Sequence, residues 1–179
     1  MSTALLIIDI QNDYFPGGAM ALVGPEAAAA NAAKLLAAFR AKKLPVFHAQ
    51  HVSVRPGATF FLPNTSGVEI HDAVKPASGE TVFQKNFPNC FRDTKLLEQL
   101  RAKDIKQLTI AGMMTHMCVD TTTRAAADLG FACSLAHDAC ATKELAFNGV
   151  KLPAEQVQLA YMAGLNGLFA KVLPADELR

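Results

Sequence analysis

Short, continuous runs of hydrophobic residues recur along the chain, separated by longer segments with helical periodicity. A continuous run differs from the alternating pattern of a strand with one solvated face, and it is typical of strands buried on both faces of a parallel sheet. The runs are ALLIIDI (4–10), LPVFHAQ (44–50), TVFQK (81–85), QLTIAGM (107–113), FACSLAH (131–137) and FAKVLP (169–174). We interpret them as strands of a mainly parallel sheet.

The segments between these runs predict four helices. In the first, Pro25 and Glu26 suit an opening turn, and a stripe of alanine, leucine and phenylalanine follows to Phe39. The other helices are predicted from Asp93 to Lys103, from about Cys118 to Leu129, and from Pro153 onward, the last with Val157, Tyr161, Leu165 and Leu168 on one side. This alternation predicts an α/β fold, a three-layer sandwich with helices on both faces of the sheet and a Rossmann-like topology.

Residues 51–80 interrupt the alternation with three prolines and three glycines. A loop of this length in a compact domain is usually functional, so we predict a lid or a contact between subunits.

Composition limits the function. With 179 residues and 51% hydrophobic content, the chain fits a single domain over residues 1–179. A net charge of +1 without long runs of like charge argues against nucleic-acid or membrane partners, so we expect a small-molecule substrate. The amino terminus lacks a basic segment, and Asp9 interrupts its apolar run, so we expect a cytoplasmic protein. The four cysteines lack the spacing of a metal knuckle, and most are expected to be packing thiols.

Three polar residues fall at the carboxyl ends of predicted strands, where open parallel sheets bind ligands. Asp9 follows the first strand, Lys85 ends the third, and Cys118 follows the fourth at a helix start. Each alone fits a cap or a surface ion pair, but together they predict a site. The helix dipole and Lys85 would lower the pKa of the Cys118 thiol, so we expect a reactive thiolate. Asp9 would carry the proton, and the combination predicts acyl transfer.

The sequence resembles the isochorismatase-like cysteine hydrolases, a family that includes nicotinamidases, carbamoylsarcosine amidase and isochorismatases. The matching motifs are LLIIDIQNDYF, the lysine of TVFQKNFPNCFRDTKL, and IAGMMTHMCVDTTTRAAADLGF followed by DACAT. The resemblance implies a six-stranded parallel sheet and a triad of Asp9 as proton shuttle, Lys85 as electrostatic support and Cys118 as nucleophile. It also implies an oxyanion hole from the backbone N–H groups of Met114 and Cys118, with a cis peptide between Met113 and Met114.

Two interpretations of Lys85 remain open at this stage. It either supports the charges of the reaction or only neutralises the buried Asp9, and both can hold at once.

A mostly apolar substrate pocket is expected beside this triad. The candidate lining residues are Gln11, Phe15, Phe60, Phe87, Phe91, Thr115 and His116. We predict no metal and no organic cofactor, although His48, His51, His71 and Asp72 are residue types that bind zinc. Nicotinamidases carry a metal-binding Asp-x-His pair where this chain has Gln50-His51-Val52, which argues against nicotinamidase activity.

The prediction is a cysteine hydrolase that cleaves a C–N bond of a small amide or carbamoyl compound through a thioester. The alternatives are a non-catalytic or redox-sensing relative that uses a low-pKa cysteine, and an isochorismatase-type hydrolase of an enol ether. A nucleotide-binding domain is disfavoured because both glycine-rich phosphate motifs are missing. The resemblance also implies a homo-oligomer, a dimer or tetramer.

Overall fold

A six-stranded parallel sheet forms the centre of the protein in a computed structural model that describes residues 2–179. The strands are, in chain order, β1 (Thr3–Ile8), β2 (Val46–His51), β3 (Thr81–Lys85), β4 (Gln107–Met113), β5 (Ala132–Ala141), β6 (Leu145–Phe147), β7 (Val150–Leu152) and β8 (Lys171–Leu173). The sheet order is β3-β2-β1-β4-β5-β8, and β6 pairs with β7 in a separate antiparallel hairpin. The predicted α/β class with six parallel strands is confirmed.

Helices cover both faces of the sheet, which explains the continuous hydrophobic runs. The helices are α1 (Pro25–Ala41), α2 (Leu96–Ala102), α3 (Asp120–Asp128) and α4 (Ala154–Leu165). In β1, Leu5 and Ile7 pack in a core cluster with α1, whereas Leu6 and Ile8 pack in a second cluster with α2, α3 and α4. Because successive side chains enter opposite cores, the buried positions 4–8 of the strand are all apolar. None of the helices within residues 2–179 has the length and apolar character needed to span a bilayer.

Three helix boundaries differ from the sequence prediction. The second helix begins at Leu96 instead of Asp93, because Asp93 has a left-handed backbone with φ of 55°. The segment around Cys118 is a π-helical turn over Thr115–Val119, and α3 begins only at Asp120. The last helix ends at Leu165 because Asn166 is extended, so Leu168 lies outside it and is 83% exposed.

The β6–β7 hairpin was not predicted from the hydrophobic runs. Its turn is Asn148-Gly149, and both residues have positive φ angles of 49° and 77°. An Asn-Gly pair between short apolar segments is the usual sequence signal of such a turn, so the signal was present.

The loop over residues 51–80 is held against the segment that follows β1. Gln11 Nε2 donates to the carbonyl oxygens of His51 and Val68, and Gln11 Oε1 accepts from the N–H of His51 at 2.7 Å. The carboxylate of Asp13 accepts a 2.6 Å hydrogen bond from the N–H of Phe61. These bonds fix the loop as one wall above the carboxyl edge of the sheet.

Substituting Gly112 with alanine is expected to destabilise the protein by about 3 kcal/mol or more. Gly112 lies in β4 with φ of 146°, and an added Cβ would collide with the backbone carbonyl of Ile8 in β1. Gly130→Ala is the matched control, because Gly130 also has a positive φ, of 90°, but faces open space. Its expected loss is about 1 kcal/mol. Urea unfolding measures both, and equal losses would contradict the steric explanation.

Candidate active site

Three segments at the carboxyl edge of the sheet bring Asp9, Lys85 and Cys118 into one buried cluster. Asp9 directly follows β1 with a left-handed φ of 50°, and Cys118 lies in the π-helical turn after β4. Lys85 ends β3, two strands away from β1 in the sheet, and it pairs in register with His51 of β2. Its long side chain therefore crosses the end of β2 to reach Asp9.

The Lys85 ammonium group is the centre of the cluster. Nζ lies 2.7 Å from Asp9 Oδ2, 3.1 Å from His51 Nδ1, 3.1 Å from the Phe87 carbonyl oxygen and 3.3 Å from Cys118 Sγ. An ammonium has three protons, which suffice for the oxygen and nitrogen acceptors. The sulfur is then a fourth neighbour that feels the positive charge.

In this cluster Lys85 is positively charged and His51 is neutral. Burial is the largest single effect and would lower the pKa of Lys85, but the charge and hydrogen bond of Asp9, together with the neighbouring cysteines, outweigh it. The net pKa therefore lies above the ordinary value and the ammonium stays charged. Burial, followed by the charge of Lys85, lowers the pKa of His51 to about 4, so its imidazole is neutral at pH 7. The cluster therefore holds one ion pair and one neutral ring.

The thiol of Cys118 does not have the lowered pKa that the sequence predicted. Cys118 is only 5% exposed, and burial is the main cause that raises its pKa well above the ordinary value. The charge of Asp9 raises the pKa further, and Lys85 offsets only part of the two effects. Position at a helix start and beside a cation suggested a thiolate, but burial beside a carboxylate favours the neutral thiol. A nucleophilic role for this sulfur would therefore require a base.

Asp9→Asn is expected to speed alkylation of Cys118 at neutral pH, although it removes the candidate base. The substitution removes the negative charge that raises the thiol pKa and leaves Lys85 beside the sulfur, so the thiolate fraction rises. In the unsubstituted protein, labelling should increase as pH rises above 7, and in the variant the rise should begin at lower pH. Mass spectrometry of iodoacetamide labelling at each cysteine measures this, with buried Cys133 as the internal control. Slower labelling in Asp9→Asn would contradict the assigned role of the carboxylate.

A cavity of about 450 Å³ opens beside Cys118. Phe60 and Phe87, both predicted pocket residues, line it together with Tyr14, Met114 and Met117. Its polar lining comes from His51, Ser53, Arg55 and Asn86. The peptide bond between Met113 and Met114 is cis, and Met114 contributes to the wall next to the cysteine.

The other five predicted pocket residues lie away from this cavity. Gln11 uses its amide on the backbone of the 51–80 loop, and Phe15 stacks on His71 with ring centroids 3.7 Å apart. Phe91 packs in the core beside Phe131. The side chains of Thr115 and His116 bond towards the end of β5 and α4 instead: Thr115 to Gln158, and His116 to Thr142. Each of these side chains is already engaged in packing or hydrogen bonding.

Sequence reasoning missed four lining residues that carry polar atoms, Tyr14, His51, Ser53 and Arg55. Tyr14 is adjacent to Phe15, and only the 3-10 turn at Asn12–Tyr14 determines which ring faces the cavity. Ser53 and Arg55 lie in a loop whose path the sequence does not define. His51 was considered only as a metal ligand, although its register with Lys85 at the ends of β2 and β3 was an available signal.

The histidines that suggested zinc do not converge. His48 bonds to Glu80 at 2.9 Å, His51 to Lys85, and His71 stacks on Phe15. Within residues 2–179, the one group with metal-ligand potential is Asp9, His51 and Cys118, whose ligand atoms lie within 4.8 Å of one another. Lys85 Nζ already contacts an atom of each of these residues, so its ammonium takes the place that a cation would need.

The parallel sheet and the cluster at its carboxyl edge place the chain among open α/β proteins that bind ligands at strand ends. A family model described as Isochorismatase domain matches residues 3–176. The isochorismatase family protein YddQ of Bacillus subtilis, itself uncharacterised, is 53% identical over 172 residues, which cover 96% of both chains. The chain belongs to the isochorismatase family and is an isochorismatase-family hydrolase.

Two further comparisons concern structure and activity. The crystal structure of a protein from Oleispira antarctica assigned as an isochorismatase hydrolase has a TM-score of 0.94 and 52% identity, covering 99% of this chain and 95% of that one. N-carbamoylsarcosine amidase from Arthrobacter is 30% identical over 145 residues, which cover 72% of this chain and 55% of the amidase. The family therefore includes a relative named as an amidase.

Proposed function

We propose that the protein is a cysteine hydrolase that cleaves the C–N bond of a small amide or carbamoyl compound through a thioester. The observation that carries the proposal is the contact cluster of Asp9, Lys85 and Cys118 beside the cavity. The name of the relative N-carbamoylsarcosine amidase supports the same bond type.

The first half of the reaction forms the acyl-enzyme. Asp9 takes the proton of the Cys118 thiol as sulfur attacks the carbonyl carbon of the substrate. Asp9 Oδ1 suits this task, because it is buried and accepts no hydrogen bond from the described residues, whereas Oδ2 is bound to Lys85. The tetrahedral intermediate then expels ammonia or an amine, which leaves with the proton from Asp9, and a thioester remains.

The carbonyl oxygen becomes negatively charged during this step. Met114 and Cys118 both line the cavity, and their backbone N–H groups are the proposed donors to the oxyanion. Lys85 keeps its positive charge next to both the Cys118 sulfur and the Asp9 carboxylate throughout the step. Because the proton only moves from the sulfur to the carboxylate, the net charge of the cluster does not change.

Water completes the reaction. Asp9 is ionised again after the amine has left. It accepts a proton from a water molecule as the oxygen of that water attacks the thioester carbonyl. The carbon–sulfur bond breaks, the thiolate regains a proton from Asp9, and the carboxylic or carbamic acid leaves. No redox step and no organic cofactor enters this sequence.

The redox-sensing alternative requires an accessible thiolate of low pKa. Cys118 is 5% exposed and its pKa is raised, which favours the hydrolase. An enol-ether hydrolase of the isochorismatase type would not need the sulfur and would release no amine, so the products separate it from the proposal. The homo-oligomer stays a prediction.

Ammonia release from a panel of primary amides and carbamoyl compounds tests the proposal. Acid quenching during turnover should trap the acyl-enzyme, visible as an increase in intact mass equal to the acyl group and mapped to Cys118. Turnover without an adduct at Cys118, and with activity retained in Cys118→Ala, would overturn the thioester mechanism. Release of a pyruvate-like ketone from an enol ether without ammonia would instead support the alternative.

A further inference from the structure

We propose that the substrate is a small amide that also carries a carboxylate, and that Arg55 is the residue that selects it. This inference rests on the proposed hydrolase function and adds the substrate class. Its evidence is the charge distribution around the cavity, which the triad chemistry does not require.

The cavity wall has a charged donor and no charged acceptor. Arg55 is the charged residue that lines the cavity, and no aspartate or glutamate among the described residues lines it with Arg55. The carboxylate of the cluster, Asp9, is fully buried and is already bound to Lys85 at 2.7 Å. Since the cluster charges offset each other, the positive charge of Arg55 dominates the cavity.

Arg55 is free to bind a ligand. Its guanidinium forms no ion pair or hydrogen bond with the described side chains, unlike Arg40, which binds Glu80, and Arg124, which binds Asp120. Only its backbone is engaged, because the Arg55 carbonyl accepts from the N–H of Ala58 at 3.1 Å. This turn holds the residue at the wall. A planar guanidinium with paired N–H donors matches a carboxylate.

His51 provides a second donor on the same wall. Because an ammonium can only donate, His51 Nδ1 must accept the contact from Lys85, and the neutral ring then carries its proton on Nε2. No described group accepts from Nε2, and His51 lines the cavity. A substrate with acceptors along this wall satisfies both residues.

A second arginine adds positive potential behind the aromatic lining. The guanidinium carbon of Arg92 lies 3.5 Å from the centroid of the Phe87 ring, and Phe87 lines the cavity. Asp93 is its ion-pair partner at 3.7 Å, with both side chains largely exposed, so this pair offsets little of the charge. The cavity volume of about 450 Å³ suits a compact substrate.

The test uses matched pairs of amides that differ in the carboxylate. Malonamate, succinamate and glutaramate are compared with propanamide, butanamide and pentanamide, and the readout is the ratio of kcat/KM within each pair. We expect a ratio of about ten or more for the best pair, and its collapse in Arg55→Ala. Arg55→Lys should keep part of the ratio. Arg101→Ala, which removes an exposed arginine of α2, should keep all of it.

Binding of the same acids to Cys118→Ala, measured by calorimetry, separates this inference from the hydrolase proposal. Arg55-dependent binding without turnover of any amide by the unsubstituted protein would overturn the hydrolase and support the carboxylate site. Turnover with ratios near one, or ratios that Arg55→Ala leaves unchanged, would overturn the carboxylate site and support the hydrolase.

Discussion

Cys118→Ala is expected to reduce kcat for amide hydrolysis by about 10⁴-fold or more, a loss typical of removing a covalent nucleophile. The substitution removes the sulfur that lies beside Lys85 and lines the cavity. Residual catalysis would come only from substrate binding and the oxyanion donors. Ammonia release under saturating substrate measures the effect, and circular dichroism checks that the fold is retained.

Cys133→Ala is the matched control for this substitution. Cys133 is another buried free cysteine, but it lies in β5 and does not line the cavity. The Cys133→Ala variant should keep full activity. Its free energy of unfolding should fall only by the small amount expected when one packing side chain is shortened. A Cys118→Ala variant that kept more than about 1% of the activity would contradict sulfur as the nucleophile, because a loss below about 100-fold is no larger than the smallest effect usual for a general acid or base.

The strands and the placement of Asp9, Lys85 and Cys118 at one edge of the sheet were predictable from sequence because each depends on local pattern. β1 reads as a continuous apolar run since Leu5 and Leu6 enter different cores, and the polar residue that ends it must lie at the sheet edge. Parallel pairing then places the carboxyl ends of β1, β3 and β4 at the same edge of the sheet, whatever the strand order.

The pocket was less predictable because its walls are loops. The path of residues 51–80 depends on contacts such as Gln11 with Val68 and Asp13 with Phe61, which join residues far apart in sequence. No periodicity encodes them, so Arg55 was missed while Phe15 was placed in the pocket. The thiol pKa was predicted in the wrong direction for a related reason, since the burial of Cys118 depends on tertiary packing.

Lys85→Met is expected to destabilise the protein by about 3–5 kcal/mol, the usual effect of leaving a buried charge without its partner. Asp9 is fully buried, Oδ1 has no hydrogen-bond partner among the described residues, and Oδ2 would lose the ammonium. Lys106→Met is the control at an exposed ion pair with Asp104, where the expected change is below about 1 kcal/mol. Urea unfolding measures all of these free energies.

The double variant Asp9→Asn/Lys85→Met separates the two roles of Lys85 that the sequence left open. Removal of both charges should restore most of the stability lost in Lys85→Met, because no unpaired charge then remains in the core. Amide hydrolysis should be abolished in the double variant, since neither a proton acceptor nor the adjacent positive charge is present. If the double variant regained stability but had no activity, the ion pair would be needed for catalysis and not for the stability of the fold. If the double variant were no more stable than Lys85→Met, the unpaired carboxylate could not be the cause of the loss.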